Sequence, residues 1–281
     1  MTPAGVIINA DDFGLTPGVN RGILNGFRDG VLTSTTMLVN LRFFEDAVAI
    51  AKDNPDLPVG IHLSLLWGRP LTDPSRIPTL VDNDGCFPRS LGTLARRYFL
   101  GRISLEEVST ELRAQVRKFL DAGLLPTHLD THKHVHSLPG ILHALISLAG
   151  ELGIKKIRLP YENGKAAARP SWKIAAQRSF VRFLCRDSRA RLHRAGVKTT
   201  DHFVGIDHME HLDAPAFRER LGSLDDGVTE VMCHPGYVDE HLSEFARTPP
   251  HRETELAGLC DREVSELVAS KGIRLMHYGE L

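Results

Sequence analysis

Residues Thr127-His128-Leu129-Asp130-Thr131-His132-Lys133-His134-Val135-His136 place four histidines and one aspartate on alternate positions. In an extended chain, His128, Asp130, His132, His134 and His136 share one face. If the later part turns helical, His128, His132 and His136 stack at i, i+4 spacing. Either geometry gathers imidazoles beside a carboxylate, the donor mixture that Zn²⁺ and similar ions bind. A polar loop with solvated histidines is the alternative. The spacing leaves open which histidine would serve as a ligand.

Three more polar groups interrupt apolar runs. Val6-Ile7-Ile8-Asn9-Ala10 reads as a buried parallel strand that ends on Asp11-Asp12-Phe13-Gly14. Adjacent carboxylates after a buried strand are costly unless something binds them. A helix dipole beginning near Pro17 would account for Asp11 without chemistry. His62 stands inside the apolar run Pro58–Ser64, where a backbone carbonyl could satisfy it. His234 closes Val231-Met232-Cys233-His234 and opens His-Pro-Gly, which is also a natural turn. Two histidines and one carboxylate with an open position form a catalytic metal arrangement rather than a structural one. Adjacent aspartates can then divide the labour, one binding the ion and the other accepting a proton from the water it acidifies.

The elements that must position these groups alternate along the chain. Strands are predicted at Val6–Ala10, Thr35–Val39 and Pro58–Ser64, at the start of the histidine cluster, and at Lys156–Leu159, His202–Ile206, Thr229–His234 and Ile273–Met276. Helices are predicted from Thr16-Pro17 to about Asp29-Gly30, over Phe44–Lys52, Leu105–Ala122, Leu138–Leu152 and His251–Ser270, with one or two between Ala166 and Gly196. The apolar positions Leu105, Val108, Leu112, Val116, Phe119 and Leu120 repeat at helical spacing and stop at Gly123. Residues 67–104 read as an irregular excursion over the site, with Pro70, Pro74, Pro78 and Pro88. The basic stretch 169–194 reads as a solvated face, with a lid or an anionic surface as the other reading. This alternation predicts an α/β protein, an irregular (β/α) barrel of seven or eight parallel strands, in a single domain over residues 1–281. In such a barrel the C-terminal strand ends converge on one face, so Asp11, His62, the cluster and His234 can meet there.

Composition narrows the function. The chain has 281 residues, 42% of them hydrophobic and 25% charged, and a formal net charge of −1. No net basic field is available for nucleic acid. Cys86, Cys185, Cys233 and Cys260 are scattered without a Cys-x-x-Cys, which argues against a zinc ribbon or disulfide scaffold and fits a reducing compartment. No apolar run approaches the ~20 residues of a membrane helix. Val6-Ile7-Ile8 is too short for a signal-peptide core. A cytoplasmic location without an integral membrane segment is the expectation.

The motifs, taken together, resemble the YdjC-like carbohydrate (chitooligosaccharide) deacetylases. The resemblance rests on Asn9-Ala10-Asp11-Asp12-Phe13-Gly14, Thr33-Ser34-Thr35-Thr36, Gly60-Ile61-His62-Leu63, the segment Thr127–His136 and Cys233-His234-Pro235-Gly236. It spans residues 6 to about 278. It implies an irregular (β/α) barrel and one divalent metal ion, Mg²⁺ or Zn²⁺, held by Asp12, His62 and His132. It implies Asp11 as base, His234 as acid, and hydrolysis of the N-acetyl group of an N-acetylglucosamine-type sugar. Lys133 departs from the family, whose members often carry another histidine there. One branch of the family acts on an N-acetylglucosaminyl lipid in hopanoid synthesis, so an acetylated sugar or a glycolipid is the expected partner. A homodimer is a further family expectation. Asp130, His136 and Trp67 are candidates for substrate contact or for orienting the ligands, Trp67 by stacking on a sugar ring. Arg158 and Tyr161 are further candidates near the fifth strand. The rival readings are a metal-dependent hydrolase of another amide or a phosphoester on the same barrel, and a non-catalytic sugar-binding barrel.

Overall fold

The computed structural model describes residues 5–162, 172–206, 212–245 and 251–281. β1 (Gly5–Phe13) is buried along its whole length, as a strand covered on both faces should be. α1 (Pro17–Asp29) follows, with the Thr16 hydroxyl accepting from the Val19 N–H and Pro17 in the first turn. β2 (Ser34–Met37), α2 (Phe44–Asp53) and β3 (Val59–Leu63) complete the first βα units.

The excursion after β3 contains a helix that sequence patterning did not separate from loop, α3 (Leu91–Phe99). The start of the excursion is pinned by buried Glu111, whose carboxylate accepts from the Leu71 and Thr72 N–H groups. α4 (Leu105–Asp121) carries Glu111 and is capped by Ser104. Val108, Leu112, Val116 and Phe119 form its buried stripe, whereas Leu105 is 41% exposed and begins the helix outside the core.

β4 (Leu129–Thr131), α5 (Pro139–Glu151), α6 (Trp172–Cys185), α7 (Ser188–Arg194) and β5 (His202–Val204) come next. Positions 166–171 of the predicted helical stretch lie outside the described residues. α8 (Ala214–Gly222), which the sequence reading did not anticipate, is capped by Asp213 and leads to β6 (Val228–Cys233). The predicted helix over His251–Ser270 is two helices, α9 (His251–Leu259) and α10 (Arg262–Ser270). The break is chemical: the Asp261 carboxylate accepts from the Glu263 and Val264 N–H groups and starts a new helix. β7 (Arg274–Leu275) closes the order.

The strands are parallel and ordered β4-β3-β2-β1-β6-β5, with β7 joining β1 at Gly5 and Val6. Predicted strand Lys156–Leu159 is reduced to two parallel bridges, Leu129 with Ile157 and Lys156 with Lys198. These bridges link the β4 edge to the chain entering β5, so the sheet curls into an irregular barrel. Close approach of β3 to β4 requires Gly60: a Cβ there would lie 2.5 Å from the His128 ring and 2.9 Å from its carbonyl. Among the described residues, no helix is long and apolar enough to cross a membrane.

Candidate metal centre and active site

β1 delivers both adjacent aspartates to one side. Successive side chains of a regular strand point to opposite faces. Here the pairing of β1 with β2 slips between Ala10 and Phe13, and Asp12 adopts φ 70. Aspartate tolerates this left-handed conformation better than most residues, at a cost of roughly 1 kcal/mol. The twist lets buried Asp11 and Asp12 line the same cavity.

Asp12 Oδ1 lies 3.2 Å from His132 Nδ1 and 3.7 Å from His62 Nε2, and the two nitrogens are 3.3 Å apart. Donor atoms about 2.1 Å from a common ion, at angles of 90–110°, lie about 3.0–3.4 Å from one another. Two of the three separations fall in this range and the third is wider at 3.7 Å, so the three atoms surround a point suited to a cation. Asp12 Oδ1 is buried and makes no hydrogen bond of normal geometry, so its charge is left for such an ion. Its other oxygen accepts from Arg252 Nη2 at 2.6 Å.

His62 is held from behind. It pairs with Asp130 across the β3–β4 register, and its Nδ1 is 2.7 Å from Asp130 Oδ1. Nδ1–H donates to that carboxylate, which directs the Nε2 lone pair into the cluster. Burial disfavours a charged His62 ring, but Asp130, Asp11 and Asp12 outweigh it and raise its pKa to about 9. A site that protonates a buried imidazole this readily is short of positive charge.

A second group, Asp11, His62 and Asp130, also has metal-like spacing. Its cation is already present. Fully buried Arg158 donates to both oxygens of Asp11 at 2.7 Å, lies 2.5 Å from Asp130 Oδ2, and donates through Nε to Glu230 at 2.8 Å. Glu230 also accepts the hydroxyl of buried Tyr278. Burial pushes the Asp11 carboxyl up, but Arg158 and His62 overcome this and hold it well below the usual carboxylate range. Burial likewise opposes the charge of Arg158, and the three carboxylates keep it protonated.

The histidine cluster is neither wholly extended nor helical. It is a strand through Thr131, and then Lys133 and His134 take φ values of 52 and 54. The even-numbered side chains consequently disperse. His128 stacks on Tyr278, with ring centroids 3.7 Å apart, and burial pushes its pKa down to about 3. Asp130 supports His62, and His132 joins the donor trio. His134 lines the cavity beside Phe203. His136 lies behind Arg158: its Nε2 is 3.0 Å from the Arg158 carbonyl, an acceptor only, so Nε2 carries the proton and Nδ1 accepts from Thr131 at 2.6 Å.

His234, at the end of β6, faces the same cavity, and burial lowers its pKa against the pull of Asp11 and Asp12. Its backbone N–H donates to Glu255, a buried carboxyl whose pKa burial raises to about 8. The His-Pro-Gly turn packs against α1, where a Cβ on Gly22 would lie 2.5 Å from the Gly236 Cα. Trp67 stands at the wall, its ring 4.8 Å from His132, 5.8 Å from Phe245 and 4.3 Å from Lys133 Nζ. Its indole N–H is tied to the Arg89 carbonyl at 2.8 Å. The cavity has a volume of about 500 Å³.

Sequence reasoning missed Glu230, Arg252, Glu255 and Tyr278. Glu230 carried a usable signal, a charge inside an apolar strand, as at His62. Arg252 and Glu255 look like ordinary helix-surface charges until α9 is placed.

A family model described as YdjC-like protein matches residues 5–270. The chain belongs to the YdjC-like family. It is 38% identical over 281 residues to a carbohydrate deacetylase of Geobacillus stearothermophilus, covering 99% of this chain and 98% of that one. A chitooligosaccharide deacetylase of Yersinia enterocolitica is 34% identical over 279 residues, with 98% of each chain covered. Among solved structures, an Enterococcus faecalis protein associated with cellobiose-phosphate cleavage matches with TM-score 0.79 and 28% identity, over 99% of each chain. The YdjC-like match runs from β1 to the end of α10, so it includes all four strand ends around the cavity.

Proposed function

We propose that residues 1–281 form one metal-dependent carbohydrate N-deacetylase, which hydrolyses the N-acetyl group of an N-acetylglucosamine-type sugar to acetate and a free amine. The observation that carries this reading is the donor trio Asp12, His62 and His132, with Asp11 and His234 facing the same cavity. The names of the full-length relatives support the substrate class. Asp12, His62 and His132 would hold one divalent ion. Two nitrogens and one oxygen suit Zn²⁺ better than Mg²⁺, which prefers oxygen ligands. When bound, such an ion supplies Lewis acidity that polarises a carbonyl and acidifies water.

The chain's own residues do the rest. Asp11, kept ionised by Arg158, accepts the proton of the attacking water. As the C–O bond forms and the C–N bond breaks, His234, acting from the protonated form that Asp11 and Asp12 favour against burial, donates a proton to the leaving nitrogen. Asp130 and His136 hold His62 and the Arg158 backbone in place, and Trp67 offers a ring face to the sugar. The reading includes a cytoplasmic location.

The test is acetate release from di-N-acetylchitobiose, before and after chelation and metal return. Release that chelation stops and one added metal restores supports the proposal. No release from metal-loaded protein on this or any lipid-linked acetylated sugar overturns it.

A further inference from the structure

The net charge of −1 conceals an uneven surface. Residues 91–102 and 172–186 contain seven Lys and Arg residues and no acidic one, although Arg97 pairs with Asp82 and Arg186 with the adjoining Asp187, so the excess is five cations. The helices in these stretches, α3 and α6, meet through a ring contact between Phe99 and Phe180, with centroids 6.1 Å apart. Around that contact, Phe99 is 57%, Leu100 53%, Trp172 77%, Phe180 45% and Phe183 65% exposed. Large apolar side chains grouped this way mark an interaction surface.

The pattern on α6 is directional. At about 100° per residue, Trp172, Phe180 and Phe183 fall within an arc of about 80°. Ile174, Val181 and Cys185 occupy the opposite side and are buried. Lys173 and Arg186 flank the exposed aromatic arc. Beside Leu100, just past the end of α3, a recess of about 500 Å³ is lined by Ser90, Thr93, Arg96, Arg97 and Arg102. An apolar shelf edged by cations with hydroxyls nearby matches acyl chains below phosphate headgroups. Both helices also reach the catalytic cavity, through Leu91 and Gln177.

We propose that the α3–α6 face binds an anionic phospholipid bilayer, beside the cavity that Leu91 and Gln177 help to line. Charge decides against a second copy of the chain, because a two-fold contact through this face would set cations against cations. The aliphatic and aromatic centre favours acyl chains over a polyphosphate strand. The inference goes beyond the deacetylase reading and does not depend on it, since binding is measured without turnover.

The experiment is sedimentation of the full chain with vesicles of phosphatidylcholine and phosphatidylglycerol in equal parts, against phosphatidylcholine alone. The expected result is salt-sensitive binding to the anionic vesicles only. Arg96→Glu with Lys173→Glu should weaken it at least about tenfold, given about fivefold for each cation lost. Phe180→Ser with Phe183→Ser should weaken it about tenfold or more through lost apolar burial. Both double variants change exposed side chains and should keep the wild-type melting temperature. Equal binding to neutral vesicles, or no binding, overturns the proposal. So does a vesicle-free dimer that either variant dissolves, or an oligonucleotide that binds where vesicles do not.

Discussion

Asp11 and Asp12 are neighbours in sequence, equally buried and each paired with an arginine, yet their second oxygens meet different partners. Around Asp11, Arg158 donates to both oxygens, and Asn9 and Thr36 crowd one of them at 3.0 and 3.4 Å. Around Asp12, Arg252 engages one oxygen, and the other faces two imidazole nitrogens without a normal hydrogen bond. Arg158 occupies both oxygens of Asp11, whereas Arg252 leaves one oxygen of Asp12 open to a further cation. Residue type does not decide the difference, since both are aspartates. The decision lies in which guanidinium the fold delivers, and where.

The largest expected effect removes the resident cation. Arg158→Ala leaves Asp11, Asp130 and Glu230 buried and unpaired, and should cost about 3–5 kcal/mol in urea unfolding. A change below about 1 kcal/mol would mean that the carboxylates take up protons or water without penalty, and the contrast would collapse.

Separating the two aspartates comes next. Asp12→Asn should abolish stoichiometric metal binding in calorimetry. Asp11→Asn should retain the metal and lose turnover by about 10²–10⁴-fold, the usual scale for a proton-transferring group. If both variants lose metal alike, the division of labour is wrong.

Acidity gives a third test. His62 has a folded pKa of about 9 in the metal-free protein, above its ordinary 6.5. A raised pKa means that the protonated ring stabilises the fold. That stabilisation is complete below pH 6.5 and is lost as the pH rises through about 9, by about 3 kcal/mol at most. Metal must displace this proton, so metal affinity should rise with pH across the same window. Metal-loaded protein should lose this part of the pH dependence of its melting temperature. A flat profile in the metal-free protein would refute the electrostatic account.

The smallest effect sharpens the boundary between the two sides. Asp130 touches both, through His62 and Arg158. Asp130→Asn removes the charge and keeps the shape, and should weaken metal binding about 10–100-fold. Unchanged affinity would show that backbone register alone aims the His62 ring.

Much of this was legible along the chain. Asp11, Asp12, His62 and His234 stood out because each places a polar group at or near the end of an apolar run, and burial of such groups needs a partner. Helix α4 was readable from its apolar repeat. The break between α9 and α10 was not, because a capping aspartate and a surface aspartate look alike without the backbone N–H groups they meet. The alternation from His128 to His136 was a strong signal with an open geometry. Two left-handed residues, Lys133 and His134, dissolve the shared face that alternation offers.

The sequence by itself determined the strand–helix alternation, the parallel barrel and the residue types that accumulate at its strand ends, but not α3, α8 or the split of α9 from α10. Hydrophobic periodicity and local turn chemistry are properties of neighbouring residues, and they can be read in one dimension. Only the tertiary structure decided that Arg158 joins Asp11, Asp130 and Glu230, that Arg252 holds one oxygen of Asp12, and that His128 and His136 stand behind the site. These pairings link positions up to 240 residues apart. Coulomb and hydrogen-bond energies depend on distance in space, which sequence separation does not encode.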